Sequence, residues 1–202
     1  MAVSTQLGRC VAKVLGVPET VTASHVRNLR EAGLITKAGR GITAAQMTTR
    51  DAAHLLIATV ASLNVKDSAA TVAGFSQTKS RHGPDKIMFA RSAGGPNHSF
   101  VDALVVLLDL VVDGEFTRTC ELECDVHLIG PQPRAKIEWI DRRTKFGSDA
   151  VYEVTPRPWI RPVKRAGERE ASSDLERQAA FTEITILQVG ELIGGREQSQ
   201  HA

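Results

Sequence analysis

The segment that most constrains this chain is residues 11–40, VAKVLGVPETVTASHVRNLREAGLITKAGR. Leu7, Val11, Val14 and Leu15 recur at helical spacing, so a first helix, capped by Ser4 or Thr5, carries one apolar stripe. Gly16 ends it, and Pro18, which has no N–H to give a helical ladder, forbids immediate continuation. A second helix follows, capped by Thr20 or Thr22, with Val26 and Leu29 facing inward. Its other face shows Thr22, Ser24, His25, Arg27, Asn28 and Arg30. Gly33 closes it as a left-handed cap. Leu34 and Ile35 then begin a strand, Lys37-Ala38-Gly39-Arg40-Gly41 makes a tight basic turn, and residues 42–47 return. Two short helices, each apolar on one narrow stripe, must pack on each other and on something further along the chain.

The charge distribution singles out the same region. The whole chain of 202 residues has a formal net charge of only +2. Residues 1–50 hold seven basic side chains (Arg9, Lys13, Arg27, Arg30, Lys37, Arg40, Arg50) against two acidic ones (Glu19, Glu31), a local net of +5. The remainder is therefore slightly acidic. A basic lobe on an acidic body is the footprint of a surface that meets polyanions. Arginine pairs with guanine and asparagine with adenine through two parallel hydrogen bonds. Short hydroxyls at a helix start suit base-edge and phosphate contacts.

After the basic turn, Thr48 to Asp51 cap a further helix over residues 51–63, with Ala52, Leu55, Leu56, Thr59, Val60 and Leu63 at helical spacing. The order helix, turn, helix, basic hairpin, helix resembles the winged helix-turn-helix regulators. In these, a helix ending L-x-x-x-G-L-I, here Leu29 to Ile35, runs directly into the wing. It looks like the head of MerR-type regulators and of excisionase-like proteins, and the resemblance covers residues 7–60. It implies double-stranded DNA as partner, a recognition helix over about residues 22–32 and a wing over about 36–42. Thr22, Ser24, His25, Arg27, Asn28 and Arg30 would face the groove, with Lys37 and Arg40 on the backbone or in the minor groove.

The middle of the chain is less periodic. Residues 66–79 read as a weaker amphipathic helix through Ala69, Val72, Ala73 and Phe75. Residues 80–96 read as a Gly- and Pro-rich loop, with Ile87, Met88 and Phe89 as a short strand or a plug. Residues 100–112 form the strongest helix, capped by Asn97 or Ser99 and apolar nearly all round except for an Asp102, Asp109, Asp113 stripe.

From Thr117 the period becomes two. Cys120, Leu122, Cys124, Val126 and Leu128 alternate with polar residues up to Ile129. On such a strand the cysteines point one way and His127 the other, so the three cannot share a metal ion. Ala135, Ile137 and Trp139 continue the pattern after a Gly130 to Pro133 turn, giving an antiparallel partner. Residues 151–155 form a third strand and 180–186 a fourth, with 187–193 a closing helix and 157–177 a long exposed loop. Four strands with one polar face need a cover, and the 100–112 helix is the natural one.

The expected fold is therefore α+β: an N-terminal winged helix-turn-helix, then a helix-covered antiparallel sheet. The expected divisions are a head at 1–63, a connecting helix and loop at 64–96, a dimerisation or sensing domain at 97–194 and a disordered tail at 195–202.

Several chemistries have no pattern here. No phosphate-binding Gly loop ends in Lys-Ser or Lys-Thr, no dinucleotide fingerprint occurs, and no Gly-x-Ser-x-Gly or His-Glu-x-x-His is present. The six histidines are scattered. No catalytic residue, metal ligand or cofactor is assigned, and the expectation is a non-enzyme. No signal peptide or membrane span is read, and three cysteines make no disulfide framework, so a cytoplasmic setting is expected. The leading expectation is a homodimeric, sequence-specific regulator of transcription. A small-molecule effector has no sequence support. Two other readings use the same head: a DNA-binding part of a phage-type packaging or replication assembly, and a winged-helix protein-interaction module.

Overall fold

The computed structural model describes residues 2–37, 45–82, 98–119, 121–130, 132–145, 147–154 and 177–195. Helices α1 (Ser4–Leu15) and α2 (Glu19–Glu31) are separated by a three-residue turn. Gly16 has φ 65°, a left-handed conformation that a Cβ would strain. Pro18, not a threonine, stands at the N-cap of α2 with extended backbone. The helix therefore begins before Thr20 and Thr22, both of which lie within it. Gly33 (φ 74°) closes α2, with Leu34 N–H donating to Leu29 C=O at 2.8 Å, the six-residue bond of a Schellman motif. Gly8 sits buried in α1 with room for a Cβ only 3.7 Å from Val26 Cγ2, so the two helices approach closely there.

Leu34 to Lys37 form no strand. Ile35 instead drops into the core, 2% exposed. The returning chain bridges Gln46 to Val3 in antiparallel fashion, and Met47 N–H donates to Ala2 C=O at 2.8 Å. Of the expected basic turn at residues 37–41, all but Lys37, Arg40 included, lies outside the described residues.

Helix α3 (Thr49–Ala61) begins at a Thr48 cap whose hydroxyl accepts from Asp51 N–H. Every residue from Asp51 to Ala58 is buried, so α3 is enclosed on all sides. A 3-10 turn (Val65–Asp67) leads into α4 (Ser68–Ser76), then strand β1 (Lys79–His82). Helix α5 (Phe100–Asp113) starts at Ser99, whose hydroxyl and the Asp102 carboxylate cap each other's backbone. Strands β2 (Leu122–Gly130), β3 (Arg134–Asp141), β4 (Gly147–Glu153) and β5 (Arg177–Thr182) precede the last helix, α6 (Glu183–Ile193).

The five strands form one antiparallel sheet in the order β1-β4-β3-β2-β5. Cys124, Val126, Leu128, Ala135, Ile137, Trp139, Ala150 and Tyr152 point to the covered face and are buried. His127, Lys136, Glu138 and Gln178 meet on the other face: His127 Nε2 lies 3.1 Å from Glu138, Lys136 Nζ 2.7 Å from it, and Gln178 Nε2 2.8 Å from His127 Nδ1. This alternation, with Cys124 inward and His127 outward, is the period of two made visible. The chain is thus α+β, with helices on one face of the sheet.

The cover differs from the expected one. Helices α3 and α6 lie over β2 and β5, while α5 packs mainly on α3 and α6 and reaches the sheet through Phe100, whose ring meets Tyr152 at 5.7 Å. Alanines at 52, 53 and 58 let α3 settle closely between layers. One apolar cluster runs from Leu7 and Leu29 through Leu56 and Leu104 to Val126 and Val189. Among the described residues no helix is long and apolar enough to cross a membrane.

Candidate nucleic-acid interface

The α1-turn-α2 unit is fixed to the body on two sides. Helix α1 packs on α2 and on α6, and α2 packs on α3 and on the segment before α4. That second contact is polar and decides which side of α2 is free. The Ser68 hydroxyl donates to Val65 C=O, and Asn28 Nδ2 donates to the same carbonyl at 2.7 Å. Both lone pairs of that oxygen are thereby used. Since the Ser68 proton is committed, its oxygen accepts from His25 Nδ1–H at 2.8 Å, which fixes the ring tautomer. Burial lowers the pKa of His25, favouring the neutral ring. Thr22 is buried too, its hydroxyl donating to Glu19 C=O at 3.0 Å.

Three expected groove-facing residues are therefore corrected. Thr22 and His25 are 1% and 3% exposed, and Asn28 is half-buried with its amide engaged. Their hydrogen-bonding capacity serves the fold. The exposed residues of α2 are instead Glu19, Thr20, Ala23, Ser24, Arg27, Arg30 and Glu31. Thr20, Ser24, Arg27 and Glu31 follow offsets of 4, 7 and 11, one helical stripe. Thr20, which as a helix cap would not face a groove, lies inside α2 and is exposed. The proline N-cap two residues earlier was the signal that places it inside the helix.

Of the expected set, Ser24, Arg27, Arg30 and Lys37 are exposed. Arg27 Nε donates to Glu31 at 2.8 Å and Arg30 Nη2 to Ser4 Oγ at 2.7 Å. Both bonds are at the surface, where such pairs contribute little and exchange readily for a phosphate. Lys13 on α1 is exposed as well, and Arg9 lies 3.5 Å from Glu19. Arg50 does not join them. Its guanidinium is drawn to Asp102 on α5 at 2.9 Å. The Asp102 carboxyl is raised by burial but lowered more by its bonds from Ser99 and Arg50, so it stays ionised.

One carboxylate joins the segment that ends at Lys37 to the one that begins at Ala45. Asp51 accepts from Thr36 N–H at 2.9 Å, Thr36 Oγ1 at 2.8 Å, Thr48 N–H at 2.8 Å and Thr48 Oγ1 at 3.0 Å. Beside it, His54 Nδ1–H donates to Leu34 C=O at 2.7 Å and holds the chain leaving α2 against α3. Thr36 and Thr48 are thus both tied to the first turn of one buried helix.

No family model, no curated protein and no solved structure matches the chain.

Proposed function

We propose that this chain is a sequence-specific double-stranded DNA-binding regulator that acts as a homodimer, with α2 entering the major groove. The observation that carries the reading is the division of α2. One side is buried at Thr22 and fastened at His25 and Asn28, while the opposite side leaves Thr20, Ser24, Arg27 and Arg30 open to solvent. Hydroxyls toward the start of the helix and guanidinium groups along it match the donor set that groove edges and phosphates accept. A rigidly held helix presents that set without an ordering cost.

Two further features support it. The closed base at Asp51 suits an excursion used as a wing, with Lys37 at its root. The excess of basic residues in the first fifty supplies the long-range attraction. Dimerisation follows from the way such heads read paired half-sites about one DNA turn apart.

The test is a fluorescence-anisotropy titration of the full chain against random-sequence duplex at two salt concentrations. Binding that weakens steeply with salt is expected, because each neutralised phosphate releases counterions. Arg27→Ala and Arg30→Ala weaken it, whereas Arg143→Ala on the β3–β4 turn leaves it unchanged. Absence of binding at low salt overturns the reading and leaves a protein-interaction module. Light scattering gives the mass: a dimer fits the proposal, and a ring-sized species favours a DNA-packaging or replication assembly.

A further inference from the structure

The C-terminal end of α3 borders a cavity of about 670 Å³. Val60, Leu63, Ala70 and Phe75 wall it on the helical side, Leu128 and Pro133 on the sheet side. This volume is that of a site for a small organic molecule rather than for an ion. Phe75 and Leu128 are almost fully buried, yet Leu63 at the rim is 59% exposed, an apolar side chain left without cover.

Ser62, Asp67, Thr71, Arg177 and Gln178 interrupt the apolar lining. The Ser62 hydroxyl is buried and has no hydrogen-bond partner among the described residues. Buried hydroxyls seldom stay unpaired, because nothing then offsets their desolvation. Arg177, the first residue of β5, is exposed and has no ion-pair partner among the described residues. The acidic residue in the lining is Asp67, which already accepts from Asn64 Nδ2 at 3.2 Å. One cation and one anion therefore border the cavity. A single negative charge on a ligand is matched at Arg177, while a dianion would meet Asp67 as well.

We propose that this cavity binds a small amphipathic monocarboxylic acid. The carboxylate lies on the Arg177 fork, which offers two parallel N–H donors. The apolar body lies against Val60, Phe75 and Leu128. The proposal stands on the cavity alone and is independent of DNA binding.

Decanoate and 3-phenylpropionate are the probes, with decanol as the uncharged control, titrated into the full chain by calorimetry and followed by backbone-amide NMR. Saturable binding of at least one acid is expected at a Kd of about 1 mM or tighter, with decanol about tenfold weaker. Amide shifts concentrate at Ser62, Ala70, Gly130 and Ala179. Arg177→Gln weakens the acid about tenfold and leaves decanol unchanged. Ala70→Trp, at an exposed position on the rim, fills the cavity and removes both without unfolding the chain. The proposal is overturned if neither acid binds at about 1 mM, if acid and alcohol bind alike, or if both variants bind the acid as the parent does.

Discussion

Removing the Asp51 carboxylate is the sharpest perturbation the structure offers. Asp51 is 4% exposed and accepts four hydrogen bonds, two from each end of the 36–48 excursion. A hydrogen bond to a charged group contributes about 1.5–3 kcal/mol, so a linear sum would rival the whole stability of a domain. The four share one carboxylate and cannot be summed. The two threonine hydroxyls can rotate to other acceptors. The two backbone N–H groups cannot, and each left unpaired costs about 1–3 kcal/mol. The expected loss for Asp51→Ala is therefore about 3–5 kcal/mol, with a fall in Tm of roughly 10 °C for a chain of this size. Asp51→Asn keeps one acceptor oxygen but sets its NH2 against a donor, so its loss is smaller, about 2–3 kcal/mol.

Urea unfolding followed by far-UV circular dichroism measures both. A double-mutant cycle with Thr36→Val separates the Thr36 arm, and contacting groups of this kind couple by about 0.5–3 kcal/mol. A loss under about 1 kcal/mol for Asp51→Ala is the worth of a helix N-cap alone. That outcome, or zero coupling to Thr36, would refute the closed base and with it one support for a wing.

Three other outcomes follow from the geometry. A Cβ at Gly190 on α6 would come within 2.6 Å of Val111 Cβ on α5, so Gly190→Ala should cost about 1–3 kcal/mol and Val111→Ala in the same chain should recover part of it; additive losses in urea unfolding would count against this crossing. Burial lowers the pKa of His25, and burial lowers that of His54 against the opposing Leu34 bond. Unfolded histidine binds its proton near pH 6.5, so the unfolded chain binds more protons just below that value, and stability is full above about pH 6.5 and falls as pH drops toward the folded values. Equal unfolding free energies at about pH 7.5 and 5.5 would contradict it. Arg27→Ala or Arg30→Ala should weaken duplex binding by about 1–3 kcal/mol where the side chain meets a base, and unchanged affinity for both would remove α2 as the reading helix.

What could be read from the sequence was chemistry that acts locally. Gly16, Pro18 and Gly33 punctuate α1 and α2 because a left-handed residue or a missing N–H has the same consequence in any context. The Ser99–Asp102 and Thr48–Asp51 boxes mark two helix starts for the same reason. The alternation through β2 and β3 needs no partner to be recognised. The sequence of strand β1, Lys-Ser-Arg-His, has no period of its own and reads as helix end and loop. It is a strand because Lys79 and Ser80 pair with Glu153 and Tyr152, more than seventy residues away. The boundary between β5 and α6 was misplaced by Ile184, Thr185 and Ile186, whose β-branched side chains read as strand. The Thr182 hydroxyl accepts from Ile184 N–H and starts a helix there, a local cap overriding a local propensity.

The face of α2 shows where local reading stops. Thr22, His25 and Asn28 recur every three residues and look like an outward polar stripe. Polarity predicts exposure only when no polar partner is waiting, and here Val65 and Ser68 wait some forty residues downstream. Once those bonds form, the helix is rotated so that the next stripe, Thr20, Ser24 and Arg27, faces solvent. The guanidinium groups are long enough to stay outside under either rotation, so Arg27 and Arg30 survive as candidates together with Ser24, while Thr22, His25 and Asn28 do not. A contact surface inferred from one helix is thus secure for its longest side chains and conditional for the rest, and the partner that settles the condition lies on another element.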